Sequence, residues 1–163
     1  MKATIVYHGS TQEVRQPLCK FGRPNLDFGQ GFYVTEQREQ AVEWAIKMGR
    51  YRGMTPVLNR YRFCREAFLK ESHSLVFKNY DDEWFEFIVA SRKKQNPSEG
   101  YDYIEGGVAN DRVVDSINFY LQGFITKEIA MQRLSEHKPN NQICLLNQQL
   151  TNKYLIFDGT ERL

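Results

Sequence analysis

The chain has 163 residues with 22 Lys and Arg against 20 Asp and Glu, a net charge of +2. That length is enough for one domain with a core that needs no disulfide or structural metal, and the charge is too mild to mark a polyanion-binding protein by itself. Three cysteines and three histidines are scattered, with no CxxC or His-paired zinc spacing, so a metal site built from local motifs is excluded and a reducing compartment is indicated. The apolar run after Lys2 is too short for a secretory signal, and no stretch approaches the roughly 18 apolar residues of a membrane-spanning helix. The expectation is a soluble, cytoplasmic protein of a single domain, residues 1–163.

Residues 3 to 8, Ala-Thr-Ile-Val-Tyr-His, read as a strand that stops at Gly9-Ser10-Thr11, a turn composition. From Gln12 to Leu26 the chain reads mostly as loop, with Pro17, Gly22 and Pro24 and no sustained period. The loop delivers Asp27-Phe28-Gly29-Gln30-Gly31, and Phe32-Tyr33-Val34-Thr35 then reads as a strand starting directly out of the glycines. A dinucleotide fingerprint is excluded here: it needs a third glycine where Val34 stands, and it opens a helix rather than a strand.

Thr35 is a natural cap for a helix from Glu36 to Met48, whose Ala41, Trp44, Ala45 and Met48 form a helical stripe. Val57 to Phe63 alternates Val57, Tyr61 and Phe63 on one face with Leu58, Arg60 and Arg62 on the other, a strand with one half-wet side. Residues 65 to 80 have mixed character, with Ser74 to Phe77 as a short strand. Asp81-Asp82 caps a helix over Glu83 to Ser91. Tyr101 to Ala109 reads as a strand broken by Gly106-Gly107, and Asn110-Asp111 caps a helix that Gly123 ends. Thr126 caps a further helix to about Glu136, closed by Pro139, and Gln142 to Leu146 and Tyr154 to Phe157 are strand-like. Strands at both ends with helices between them give an α+β class, with the terminal strands paired in a shared sheet.

Tyr7-His8-Gly9-Ser10, Asp27-Phe28-Gly29-Gln30-Gly31-Phe32-Tyr33-Val34-Thr35, Tyr101-Asp102 followed by Gly107-Val108-Ala109-Asn110-Asp111, and Asn141-Gln142-Ile143 occur in this order and in these strand contexts. Together they make the chain similar to members of the ADP-ribosyltransferase superfamily, in its poly(ADP-ribose) polymerase and diphtheria-toxin-like branch. The resemblance is narrower still to an uncharacterised bacterial family within it, and it covers nearly the whole chain. It implies split antiparallel β-sheets with peripheral helices and an NAD cleft between the sheets. His8 would bond a ribose hydroxyl, the backbone of Gly9 would hold the nicotinamide carboxamide, and Tyr33 would stack on the nicotinamide ring with Trp44 on its other side. Ser10, Gly31 and Asp111 would complete the NAD-binding residues.

Two positions depart from the branch. Ala41 stands where a serine usually contacts the carboxamide, and Gln142 stands where the catalytic glutamate is expected. Cleavage of the ribose–nicotinamide bond builds positive charge on the ribose, which a fixed carboxylate stabilises. A neutral amide orients the sugar but is no general base. Transfer then relies on another carboxylate, with Asp111 and Glu105 as candidates, or on the acceptor's own nucleophilicity, or it has been lost.

The implied activity is NAD-dependent mono-ADP-ribosyl transfer to a protein or nucleic acid, with Gln142, His8 and Tyr33 as the catalytic set. It suits an intracellular effector of the toxin-antitoxin or phage-defence kind, with an antitoxin protein as partner. The alternative is an NAD-binding regulatory module that keeps the cleft without the chemistry. A third reading uses Arg50, Arg52, Arg60, Arg62, Arg65 and Lys70, interleaved with Tyr51, Tyr61 and Phe63, for phosphate contact and base stacking. Two bland assignments complete the picture: Asp27 bridging to an arginine to hold the glycine turn, and Cys144 as packed interior rather than nucleophile.

Overall fold

A computed structural model describes residues 1–24, 26–109, 114–136 and 140–163. Among the described residues seven strands and six α-helices follow one another. They are β1 (Thr4–Ser10), β2 (Phe32–Val34), α1 (Arg38–Arg52), β3 (Val57–Phe63), α2 (Arg65–Glu71), β4 (Ser74–Val76) and α3 (Asp82–Arg92), then β5 (Tyr103–Gly106), α4 (Val114–Leu121), α5 (Lys127–Leu134), β6 (Gln142–Leu145), α6 (Gln148–Tyr154) and β7 (Leu155–Arg162). The class is α+β, with two open sheets.

In the first sheet β3 is central and antiparallel to β1 on one side and β7 on the other. The terminal strands therefore share a sheet but do not pair with each other, which corrects the sequence expectation. The second sheet has the order β2-β6-β5-β4. Its β2–β6 and β5–β6 pairs are antiparallel, whereas β4 runs parallel to β5. An all-antiparallel pair of sheets is thus also corrected, because α3 lies between β4 and β5 and supplies the crossover that a parallel neighbour requires.

Strand alternation divides the core in two. Phe32, Val34, Ile143 and Leu145 of the second sheet pack with Val6, Tyr61 and Phe63 of the first. The other face of the second sheet, with Ile104 and Cys144, packs with Trp84, Phe85, Ile88, Ile117 and Leu134 from α3, α4 and α5. The helix starts at Asp81 and Thr126 follow local chemistry, each side chain accepting from a backbone N–H three residues on.

Helix α1 departs from its expected stripe. Its buried residues are Ala41, Ala45 and Gly49, and Trp44 is 37% exposed. The reason lies in β1: a Cβ on Gly9 would collide with the Ala41 carbonyl and stand 2.9 Å from the Ala45 nitrogen. The helix rests directly on the strand, so only small residues fit between them. The same contact buries Leu58 of β3, which the sequence reading assigned to a half-wet face. Helix α6 was not foreseen; Asn147 caps it by accepting from the Leu150 N–H at 3.0 Å. Among the described residues no helix is long and apolar enough to cross a membrane.

Candidate functional site

The two sheets meet where β1 and the end of β2 are joined and then part. The Tyr7 N–H donates to the Thr35 carbonyl at 2.8 Å, and the Thr35 N–H donates to the Tyr7 carbonyl at 3.0 Å. Continuing that antiparallel register would set Gly9 against Tyr33, but the Tyr7–Thr35 bridge is isolated. Instead His8 Nδ1 donates to the Tyr33 carbonyl at 2.7 Å. A carbonyl only accepts, so Nδ1 carries the hydrogen, and the neutral ring keeps a lone pair at Nε2.

Backbone groups of a strand address the same edge at every second residue. Since Tyr7 spends both of its groups on Thr35, the N–H and C=O of Gly9 are directed to that same edge, into the gap. His8 is half-buried, with its ring 4.3 Å from that of Phe32. Burial holds its pKa below the ordinary imidazole value, against the opposing effect of the Tyr33 carbonyl. The ring is therefore neutral at pH 7.

Tyr33 is fixed at its far end. Its hydroxyl donates to the Gly29 carbonyl at 2.5 Å and accepts from the Phe28 N–H at 3.2 Å. Burial pushes the phenol pKa well up, so it stays protonated. The glycines before it serve packing. Gly29 has φ +95 and lies against Ser98, while a Cβ on Gly31 would stand 2.5 Å from Cys144 Sγ and 2.7 Å from the Leu145 carbonyl. Asp27 holds this turn as expected: Oδ1 accepts from Arg92 Nη2 at 3.0 Å and Oδ2 from the Ala109 N–H at 3.1 Å. Cys144 is buried interior, and burial pushes its thiol far above the ordinary range.

Gln142 opens β6, paired with Gly106 of β5. Because Tyr33 pairs with Cys144, alternation sets Tyr33, Cys144 and Gln142 on one face, opposite Ile143 and Leu145. Gln142 Nε2 is buried and has no hydrogen-bond partner among the described residues. Helix α1 reaches the same place: Gln40 Oε1 accepts from the Asn141 N–H at 3.2 Å and from the Thr35 hydroxyl at 3.5 Å. Sequence reasoning missed Gln40, because its bond to Asn141 joins residues 101 positions apart and no local motif signals it.

Glu105 does not share that face. It pairs with Ile143, and its carboxylate takes Arg65, the Tyr103 hydroxyl at 2.6 Å and Asn141 Nδ2 at 2.8 Å. Three donors thus occupy the Glu105 carboxylate, and its face of the sheet is the one that carries Phe32, against which the His8 ring lies. Asp111 lies outside the described residues, as do Asn110, Arg112 and Pro139. Ser10 ends β1 paired with Val57. Trp44 makes no ring contact with Tyr33 or His8 among the described residues; Lys47 Nζ stands 5.3 Å from its ring centre.

Two surface hollows lie elsewhere. One of about 80 Å³ is lined by Tyr7, Arg38, Leu58, Arg60 and Gly159 to Glu161, and one of about 360 Å³ lies between residues 15–18 and α6. The basic segment is also largely neutralised. Arg60 and Arg62 meet Asp158 at 2.9 and 3.7 Å, Arg65 meets Glu36 at 3.0 Å, and Tyr61 and Phe63 are buried. Those two rings are core and offer no stacking surface, which corrects that part of the nucleic-acid reading.

One family model matches residues 4–157, and its description is Protein of unknown function (DUF3990). No curated protein and no solved structure matches the chain.

Proposed function

We propose, for a chain that belongs to the DUF3990 family, an NAD-dependent mono-ADP-ribosyltransferase whose nicotinamide end is held where β1 and β2 part. The observation that carries this reading is the gap itself. The Gly9 amide and carbonyl are directed into it, His8 braces its wall through Tyr33, and the Gln142 amide, unpartnered among the described residues, shares the face of Tyr33. A primary carboxamide offers one acceptor and two donors, which a strand-edge N–H and C=O pair can meet together. The residues therefore fit the group.

In this reading the Gly9 backbone grips the carboxamide, Tyr33 lies against the pyridinium and Trp44 closes its outer side. His8 Nε2 accepts from a ribose hydroxyl. Gln142 orients the same sugar and gains the partner its amide lacks. NAD supplies an activated glycosidic bond; its electron pair leaves with nicotinamide, and the acceptor's nucleophile bonds the ribose carbon as its proton passes to solvent. Gln142 stabilises developing positive charge only by its carbonyl dipole, so turnover is slower than with a carboxylate.

The position of Glu105 favours a second reading, an NAD-binding regulatory module. Gln142 is a neutral amide and the Glu105 carboxylate is held by three donors, so neither offers a free base to the gap. Incubation with NAD labelled in the adenylate, in the presence of protein and nucleic-acid acceptors, separates the two. Label on an acceptor with stoichiometric free nicotinamide supports the transferase. NAD-dependent thermal stabilisation without label supports the module, and neither result removes both.

A further inference from the structure

Helix α1 brings a second amide to the gap. Gln40 is half-buried, and its Oε1 accepts from the Asn141 N–H at 3.2 Å and from the Thr35 hydroxyl at 3.5 Å. A backbone N–H only donates, so the amide cannot be turned the other way round. With both lone pairs of its oxygen engaged, only its nitrogen is left for a ligand. The hydrogens on Gln40 Nε2 have no acceptor among the described residues. Strand register fixes where this group stands. Tyr7 and Thr35 are paired, and directly opposed residues carry their side chains on one side of a sheet. Alternation puts Gly9 on the side of Tyr7, and Tyr33 with Gln142 on the side of Thr35. Helix α1 lies on this same side, because a Cβ on Gly9 would meet its Ala41 and Ala45 backbone. Gln40 therefore stands between the last joined pair and Gly9, with Trp44 one turn further along its face of the helix.

We propose that Gln40 is a specificity residue of this site: its amide nitrogen donates to the carbonyl oxygen of the nicotinamide carboxamide. The inference rests on the nicotinamide reading and adds a contact to it. The carboxamide oxygen has two lone pairs, of which the Gly9 N–H takes one. The other is open to a donor arriving from the side of α1. Because Asn141 and Thr35 hold the oxygen of Gln40, its nitrogen is oriented before the ligand arrives, and little side-chain freedom is lost on binding. A ligand group that only donates would set Nε2 against another donor. The site therefore selects for an acceptor at this position, and a ring whose carbonyl is exchanged for a poorer acceptor binds less well.

The test is calorimetric titration of wild type, Gln40→Glu and Gln40→Met with three dinucleotides of equal charge. They are NAD, its 3-acetylpyridine analogue, which keeps the carbonyl and loses the NH2, and its thionicotinamide analogue, whose sulfur is a weak acceptor. Gln40→Glu keeps an acceptor for the Asn141 N–H and removes the donors, so without ligand it should melt like wild type. The attraction of the new carboxylate for the pyridinium is common to the three ligands and cancels in their affinity ratios. Gln40→Glu should lower the affinity ratio of each carbonyl ligand to the thio analogue about fivefold, the worth of one neutral hydrogen bond. Gln40→Met should lower the ratios equally and also melt lower, because the Asn141 N–H loses its acceptor. Ratios unchanged in either folded variant, the behaviour of an amide that is merely solvated, would overturn the proposal and leave the nicotinamide site standing. Failure of wild type to bind any of the three would remove that site and this contact with it.

Discussion

His8 Nδ1 lies 2.7 Å from the carbonyl oxygen of Tyr33, so a side chain bridges β1 and β2 at the point where their backbone ladder has stopped. The bond orients the imidazole, fixes its tautomer and keeps the two strands apart by the width of a side chain.

Replacing His8 with Ala leaves the Tyr33 carbonyl without its donor in a half-buried setting. The expected cost is about 1–3 kcal/mol, read from urea unfolding. A pH series gives an independent check. Burial lowers the folded pKa of His8, so the unfolded chain, near the ordinary value of about 6.5, binds the proton more readily. Stability from this group is complete above that value and declines as pH falls from about 6.5 through the lower folded pKa. His8→Asn should flatten the stability profile between pH 7.5 and pH 5.

Gln142 carries a buried donor that nothing among the described residues satisfies. Gln142→Met removes that donor at similar volume and should leave the apo protein equally stable or up to about 1 kcal/mol more stable. The same change should abolish NAD-dependent stabilisation. Gln142→Glu should raise nicotinamide release, because it restores a charge opposite the developing cation. A fall in both stability and NAD response on Gln142→Met would mean that the amide is structural.

Gly9→Ala should destabilise by about 1–3 kcal/mol whether or not NAD is present, since the added methyl meets the backbone of α1 rather than a movable side chain. Denaturant midpoints with and without NAD measure this. An unchanged midpoint would mean that α1 is free to lift from the strand.

Glu105→Gln should act on folding. The carboxylate joins Arg65, Tyr103 and Asn141, and breaking a buried pair costs about 3 kcal/mol. Selective loss of turnover with unchanged stability would return Glu105 to the role of base.

What the sequence made legible was local. Asp81 and Thr126 announce α3 and α5 through their side-chain oxygens, and alternation in Val57 to Phe63 announces β3. What it hid depends on distant neighbours. Trp44 fits a helical stripe, yet Gly9, far away in the chain, decides that Ala41, Ala45 and Gly49 face inward. Glu105 has a carboxylate at a plausible spacing, but its face is set by pairing with Ile143. The groups that crowd Gly29 and Gly31 are Ser98, Cys144 and Leu145, all far from them in the sequence. The orphaned amide of Gln142 is visible only once β6 is seated beside β5.

The most direct measurement is calorimetric titration of NAD into wild type and into His8→Asn and Gln142→Met. Saturable binding in wild type is expected, with stabilisation of about 2.7 kcal/mol at a hundredfold excess over Kd, and its loss in both variants. No heat at millimolar NAD, or equal affinity in all three proteins, would contradict a nicotinamide site where β1 and β2 part.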